Sequence, residues 1–346
     1  MKYRTYPKTD VTVSEVGFGL WTIATDWWGE KTDDDAVAML REAAGLGITL
    51  YDAADTYGDG RSEEQLAKAF AGRRESVVYA TKFGYDFYSP QDAEKPRGQS
   101  ALPHDFSPAF VRKALEESLR RLQTDYIDIY QMHNARMGQI EDDGLWELLE
   151  SFKREGKIRM YGVALGPAIG WLYEGVDAVR KRNVASLQII WNVLEQYPGN
   201  EQIRAAYESA ADTGYMIRVP HSSGLLEGRY TADTVFPEND HRRHRPRSWL
   251  TNGVQKVDRL RFLERPGRTL GQAAVGWLLD EPRVMSVLPN IYDRDQLVEF
   301  AAAPDAPAIE PAERKQIEEL HAENFGIDEP PMNFKGTMSR DAAVSI

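Results

Sequence analysis

Four side chains able to handle protons fall at or just beyond the ends of short apolar runs in the first 134 residues. Asp52 and Tyr57 lie in Ile48-Thr-Leu-Tyr-Asp-Ala-Ala-Asp-Thr-Tyr-Gly58, where an apolar run enters a polar turn closed by Gly58-Asp59-Gly60. Lys82 follows four largely apolar residues in Val77-Val-Tyr-Ala-Thr-Lys-Phe-Gly84, and His133 stands just past Tyr126-Ile-Asp-Ile-Tyr-Gln131. Each has an ordinary explanation taken alone: a capping carboxylate, a packed turn tyrosine, an exposed strand-end lysine, a buried histidine with its nitrogens satisfied. A lysine inside an apolar run, however, is costly to bury unless paired. A carboxylate, a phenol, an ammonium and an imidazole delivered by successive strands to one end of a sheet read as the floor of an active site.

The elements that position them follow from hydrophobic pattern. Apolar runs alternate with amphipathic stretches, the signature of repeated βα units. Strands are expected at Val16–Leu20, Ile48–Asp52, Val77–Lys82, Tyr126–Gln131, Ile158–Val163, Ser186–Ile190, Tyr215–Val219 and Met285–Leu288. Helices are expected at Asp33–Leu46, Ser62–Phe70, Pro108–Leu122, Asp142–Glu155, Ile169–Arg182, Asn200–Thr213, Thr269–Asp280 and Asp293–Ala302. The first carries the clearest signals, with Thr32 as N-cap, Asp33 to Asp35 in the positive first turn, and Gly45 and Gly47 at its end. Eight alternations with no break in composition indicate an α/β fold, a (β/α)8 TIM barrel in one domain spanning 1–346. An N-terminal hairpin (1–14) precedes it. Extra helices at Val254–Leu263 and Pro311–His321 and a tail (323–346) complete it.

Two stretches without period, Tyr85 to Ser107 and Pro220 to Gly253, are expected as long loops over the barrel mouth, since loops after barrel strands surround the active site. The tail is expected either to cross the mouth or to stay mobile. Trp21, Trp27, Trp28, Tyr85, Phe87 and Tyr88 fall on mouth loops and could form aromatic substrate walls. The cluster His241-Arg-Arg-His-Arg245 could meet an anionic substrate, but a charge run is more often solvated surface, which is the expectation here.

Composition narrows the function classes. With 42% hydrophobic and 28% charged residues the chain can bury a large core, and its net charge of −12 argues against nucleic acid or an anionic membrane as partner. The absence of cysteine excludes disulfides and thiolate-held metals, and the six histidines show no metal-ligand spacing, so no metal is expected. No apolar run is long enough for a signal core or a membrane span, so a cytoplasmic protein is the default. Oligomeric state is not readable.

The segments Asp52–Gly58, Ala80–Gly84, Tyr126–His133, Gly156–Val163 and Gly224–Tyr230 together resemble the aldo-keto reductase superfamily, in order across most of the chain. The resemblance implies an oxidoreductase that reduces aldehydes or ketones, sugar-derived ones included, with an extended nicotinamide cofactor and no Rossmann domain; no Gly-x-Gly-x-x-Gly opens a βαβ unit here. It makes Tyr57 the general acid, Lys82 the charge that brings a phenol into working range, Asp52 the partner of Lys82, and His133 the group that orients the carbonyl. It also implies cofactor contacts from Gly19, Leu20 and Trp21 and from Gln188 at the nicotinamide carboxamide. The usual Ser-Asn pair is replaced by Ala164 and Leu165, and Arg218 stands where a stacking Tyr or Trp is common.

At the adenosine end the resemblance points to Asn290, Arg294 and Gln296. Arg294 is the only basic residue of that segment and is flanked by Asp293 and Asp295. NADP(H) is therefore expected ahead of NAD(H), by a narrow margin. The partner is a small carbonyl or alcohol substrate. A cofactor-binding regulatory or interaction subunit with little turnover is the alternative, and a barrel hydrolase with paired carboxylates a third reading.

Overall fold

Eight short strands pair in parallel, each with its successor in the chain: β3 (Phe18–Gly19), β4 (Leu50–Asp52), β5 (Val78–Phe83), β6 (Ile127–His133), β7 (Ile158–Ala164), β8 (Ser186–Ile190), β9 (Gly214–Arg218) and β10 (Val284–Leu288). Their order in the sheet is their order in the sequence. The last meets the first through a parallel bridge between Val16 and Val287, with Gly17 N donating to Val287 O at 2.9 Å. This is the expected (β/α)8 barrel, seen in a computed structural model that describes residues 1–89, 102–330 and 332–339. The middle of the loop expected at 85–107 and the end of the tail lie outside the described residues.

Ahead of the barrel, β1 (Tyr3–Thr5) and β2 (Thr12–Ser14) form the expected antiparallel hairpin. It closes the end of the barrel where the strands begin. Tyr6, Val11 and Val13 join one apolar cluster with the inward residues Leu50, Val78, Ala80, Ile129, Met160, Met216, Met285 and Leu288. Without it the lowest of those side chains would face water at the barrel's lower opening. The Tyr6 hydroxyl finds Ser186 Oγ at 3.3 Å inside.

The helices pack outside, over the larger apolar cluster that includes Tyr51, Phe83, Tyr130 and Ile189. In chain order they are α1 (Trp21–Ala24), α2 (Asp33–Gly45), α3 (Arg61–Ala69), α4 (Pro108–Leu122), α5 (Met137–Glu141), α6 (Asp143–Arg154), α7 (Leu172–Arg180), α8 (Gly199–Glu208), α9 (Arg247–Asp258), α10 (Leu270–Leu279), α11 (Arg294–Ala301) and α12 (Pro311–Ala322). Capping fixes several starts: Thr32 accepts from Asp35 N at 3.1 Å and Ser107 from Phe110 N at 3.4 Å, each cap worth about 1 kcal/mol.

Several boundaries differ from the sequence reading. The strand expected at Tyr126–Gln131 runs on to His133, so His133 belongs to β6 and shares its inner face with Gln131 and Ile129. α9 begins at Arg247, directly after Pro246, not at Val254, and residues 261–263 form a separate 3-10 turn. α7 begins at Leu172, not Ile169, because the backbone of 169–171 pairs with the tail instead: Lys335 N donates to Ile169 O at 3.0 Å and Trp171 N to Lys335 O at 2.7 Å. Thr337 then donates from N and Oγ1 to buried Glu174 at 3.1 and 2.7 Å. Of the two fates left open for the tail, its described part crosses the mouth. Among the described residues no helix is long and apolar enough to cross a membrane.

Candidate active site

Strand alternation carries the site upward from the apolar plug. Side chains two apart share a face, so the inward column of β5 reads Val78, Ala80, Lys82, that of β4 Leu50, Asp52, and that of β6 Ile129, Gln131, His133. Apolar layers at the bottom give way to ionisable groups at the top. Lys82 is fully buried; its Nζ donates to Asp52 Oδ2 at 2.8 Å and to Ala53 O at 2.6 Å. The other oxygen of Asp52 accepts from Gln131 Nε2 at 3.2 Å and Gln188 Nε2 at 3.1 Å. Burial pulls the Lys82 ammonium toward neutrality, but the Asp52 carboxylate and Tyr57 more than offset it and hold it above the ordinary lysine value. It stays charged.

Tyr57 lies over this cation, with Lys82 Nζ 4.8 Å from its ring centroid. Its position is set by the turn behind it, where Gly58, Asp59 and Gly60 all have positive φ, and a Cβ at Gly58 would come within 2.5 Å of Ala24 O. His133 presents its ring edge-on to Tyr57, centroids 5.9 Å apart, and to Tyr85 on its other side at 5.1 Å. Burial first, then the charges of Lys82 and Arg218, press His133 well below its usual value, so the imidazole is neutral and offers one N–H. Asn134 Nδ2 holds the Tyr85 hydroxyl at 2.7 Å.

These groups open into a cavity of about 740 Å³ at the barrel mouth. Of the residues singled out from the sequence, Asp52, Tyr57, His133, Gly19, Trp21, Gln188, Arg218 and Asn290 line it, and Lys82 lies beneath its floor. Three do not reach it. Leu20 is buried, with its amide on Asp52 O at 3.0 Å. Gln296 is buried too, accepting from Tyr292 N at 3.1 Å and donating to Glu227 at 3.0 Å. Arg294 is exposed and pairs with Glu42 at 2.8 Å.

The lining suits the nicotinamide half of an extended dinucleotide. A Cβ at Gly19 would meet nothing within 4 Å, so the backbone there faces open space that a ligand can fill. Beyond β9, Val219, Ser222 and Ser223 all adopt left-handed φ, a strained run of the kind found where backbone is shaped around a ligand. Arg218 reaches the backbone just past Ala164: its Nη2 donates to Leu165 O at 2.6 Å and to Gly166 O, while its Nε is buried without a partner.

The basic cluster is not solvated surface as a whole. Arg242 is buried, forked onto Asp240 and laid over Trp28 at 4.4 Å and Phe236 at 4.7 Å. His241 packs on Trp28 at 4.5 Å and Trp21 at 5.2 Å; burial takes it down to about 4, and it lines the cavity together with Arg245. Only Arg243 and His244 match the solvated expectation in full, exposed and away from the cavity. The aromatic residues divide likewise. Trp21 and Trp28 wall the cavity, whereas Tyr88 packs on Phe110 at 5.9 Å and receives Arg121 Nη2 at 3.1 Å, with Phe87 beside it. The sequence reading did not single out Asn134, Glu195, Ser223, Trp249, Met332 or Asn333, all of which line the cavity. Position in a loop after a strand was the only signal available for most of them.

A profile of the aldo/keto reductase family matches residues 15–322. Among curated proteins, the chain is 31% identical over 297 residues to aldo-keto reductase YhdN of Bacillus subtilis, covering 82% of each chain. It is 28% identical over 335 residues to aldo-keto reductase yakc [NADP(+)] of Schizosaccharomyces pombe, covering 92% of each. Among solved structures, the glycerol dehydrogenase AKR11B4 of Gluconobacter oxydans superposes with a TM-score of 0.78 at 26% identity, covering 96% of this chain and 99% of that one.

Proposed function

The chain belongs to the aldo/keto reductase family, and from that premise we propose that it reduces aldehydes or ketones to alcohols with NAD(P)H, Tyr57 acting as the general acid. One observation carries the reading: a fully buried Lys82–Asp52 pair lies directly under Tyr57, and Tyr57 and a neutral His133 both face the same cavity. A bound reduced nicotinamide supplies the hydride. As charge gathers on the carbonyl oxygen, Tyr57 gives it a proton and His133 donates a hydrogen bond that orients it. The Lys82 ammonium stabilises the phenolate left behind, and Asp52 keeps that ammonium charged in a place where burial opposes it. Gly19, Trp21, Gln188, Arg218 and Asn290 would hold the nicotinamide half.

The relatives' names point both ways, NADP(+) for yakc and NADH for a methylglyoxal reductase of Escherichia coli, and NADP(H) is the preferred cofactor in this proposal on the strength of Arg294 in the adenosine segment. Its exposed pair with Glu42 does not oppose this, because such pairs contribute only about 0–1 kcal/mol and yield easily to a phosphate. The test is cofactor absorbance with NADPH and a panel of aldehydes. Tyr57→Phe should lower kcat by about 10²–10⁴-fold while NADPH still binds. Wild-type turnover in that variant refutes the role of Tyr57, and no turnover by either protein favours the regulatory-subunit alternative.

A further inference from the structure

We propose that Arg245 anchors an anionic group of the substrate, so that the favoured substrates are aldehydes or ketones carrying a carboxylate or phosphate remote from the carbonyl. The inference rests on the carbonyl-reductase reading above and names the substrate class of the same cavity.

Arg245 differs from its neighbours in the cluster. Arg242 is neutralised by Asp240, and Arg243 points out and reaches Glu238 at 3.6 Å. Among the described residues no carboxylate lies within ion-pair distance of Arg245, in a chain of net charge −12. Arg245 is exposed at the rim, and two contacts orient its guanidinium. Nη2 donates to Ser223 Oγ at 3.1 Å, and the plane lies over the Trp249 ring at 4.8 Å. Arg245, Ser223 and Trp249 all line the cavity that Tyr57 and His133 face.

A guanidinium fixed by a hydroxyl and an aromatic face keeps free N–H groups in the fork geometry that fits carboxylate or phosphate oxygens. These two contacts already restrict the side chain, so less freedom is lost when an anion arrives. The cavity does not cancel the charge. Its lining carboxylates are Asp52, committed to Lys82, and Glu195, which accepts from Asn192 Nδ2 at 2.7 Å. Low-dielectric walls of Trp21, Trp28 and Trp249 concentrate the remaining positive field. The carbonyl end then meets Tyr57 and His133: hydride passes from the reduced cofactor to the carbonyl carbon, the Tyr57 proton passes to the oxygen, and a hydroxy acid or hydroxy phosphate leaves with oxidised cofactor.

An oxyanion at Arg245 could also belong to the cofactor's pyrophosphate, and the test separates the two. Steady-state rates with NADPH are measured for 4-carboxybenzaldehyde and benzaldehyde in wild type, Arg245→Gln and Arg245→Lys. NADPH dissociation constants are measured by fluorescence. The wild type should favour the acid, and Arg245→Gln should cut the ratio of the two kcat/KM values by about ten- to a hundredfold, through KM, with NADPH affinity unchanged. Arg245→Lys should recover part of the ratio. An unchanged ratio overturns the proposal, and so does a loss confined to NADPH binding, which would place the guanidinium on the cofactor. Absence of turnover with both aldehydes would instead refute the carbonyl-reductase reading. Calorimetric titration of the protein with benzoate then decides this proposal: binding by wild type that Arg245→Gln abolishes supports it, and equal or absent binding overturns it.

Discussion

Replacing Asp52 with asparagine removes one negative charge and little volume, and its effect can be worked out from the surroundings of Lys82. The ammonium has no exposed surface, and its neighbours are Asp52 Oδ2 at 2.8 Å and the Ala53 carbonyl at 2.6 Å. Breaking a buried pair by removing one charge costs about 3–5 kcal/mol, because the remaining ion is left unsolvated. Lys82 has the choice of releasing its proton, since burial alone drives it below the ordinary value and Asp52 is the first influence that raises it. In the wild type the folded value is raised, so the stability it contributes is complete below the unfolded value and is lost only as pH rises through the folded one. In Asp52→Asn the sign inverts. The folded value falls below the unfolded one, and the variant is penalised at neutral pH but progressively less as pH rises toward the ordinary lysine value. Urea denaturation at pH 7 and pH 9.5 should therefore show a deficit of about 3–5 kcal/mol that narrows at the higher pH. The pH–rate profile should shift as well, because the charge under Tyr57 is then titrating. A variant with wild-type stability at both pH values and an unmoved profile would refute the argument that Asp52 maintains the cation.

Three further outcomes follow from other parts of the molecule. Arg294→Ala should weaken NADPH by about tenfold and leave NADH nearly unmoved, measured by cofactor fluorescence; equal losses or none would show that Arg294 does not meet the 2′-phosphate. Burial takes His221 down to about 4, with Nε2 on Gly271 O at 3.0 Å and the ring stacked on Phe300 at 4.4 Å. Its folded value lies below the unfolded one, so its stability is present above about pH 6.5 and is lost toward pH 4, by about 3 kcal/mol for this residue. Denaturation midpoints should fall across that window, and His221→Gln should flatten the slope. Glu174→Ala removes the acceptor that holds Thr337, and limited proteolysis should then release the tail faster and KM should change, whereas identical cleavage would mean that the backbone pairing at Lys335 suffices.

The barrel and the inward places of Asp52, Lys82 and His133 were legible in the chain because they rest on local pattern; the roles proposed for them came from the resemblance to a family. Two-residue alternation decides which side chains enter a barrel, and Asp52, Lys82 and His133 stand on the inward parity of β4, β5 and β6 whatever lies around them. Helix starts were legible for the same reason: Thr32 and Ser107 cap through residues three positions away. What escaped depends on residues distant in sequence. His241-Arg-Arg-His-Arg245 reads as one charge run, yet Asp240, Trp28 and Phe236 bury Arg242 while Ser223 and Trp249 turn Arg245 to the cavity. The expected start of α7 failed because residues 169–171 pair with Lys335, and nothing within those residues announces a partner so far along the chain. Gln188 and Arg218 were found as positions, but whether the one reaches Asp52 and the other the Leu165 carbonyl is decided by how β8 lies opposite β4 and how β9 reaches past β8 to the end of β7. Local pattern determined the scaffold and where its candidate proton-handling residues stand, whereas the walls of the cavity were decided by packing between segments that only the folded chain brings together.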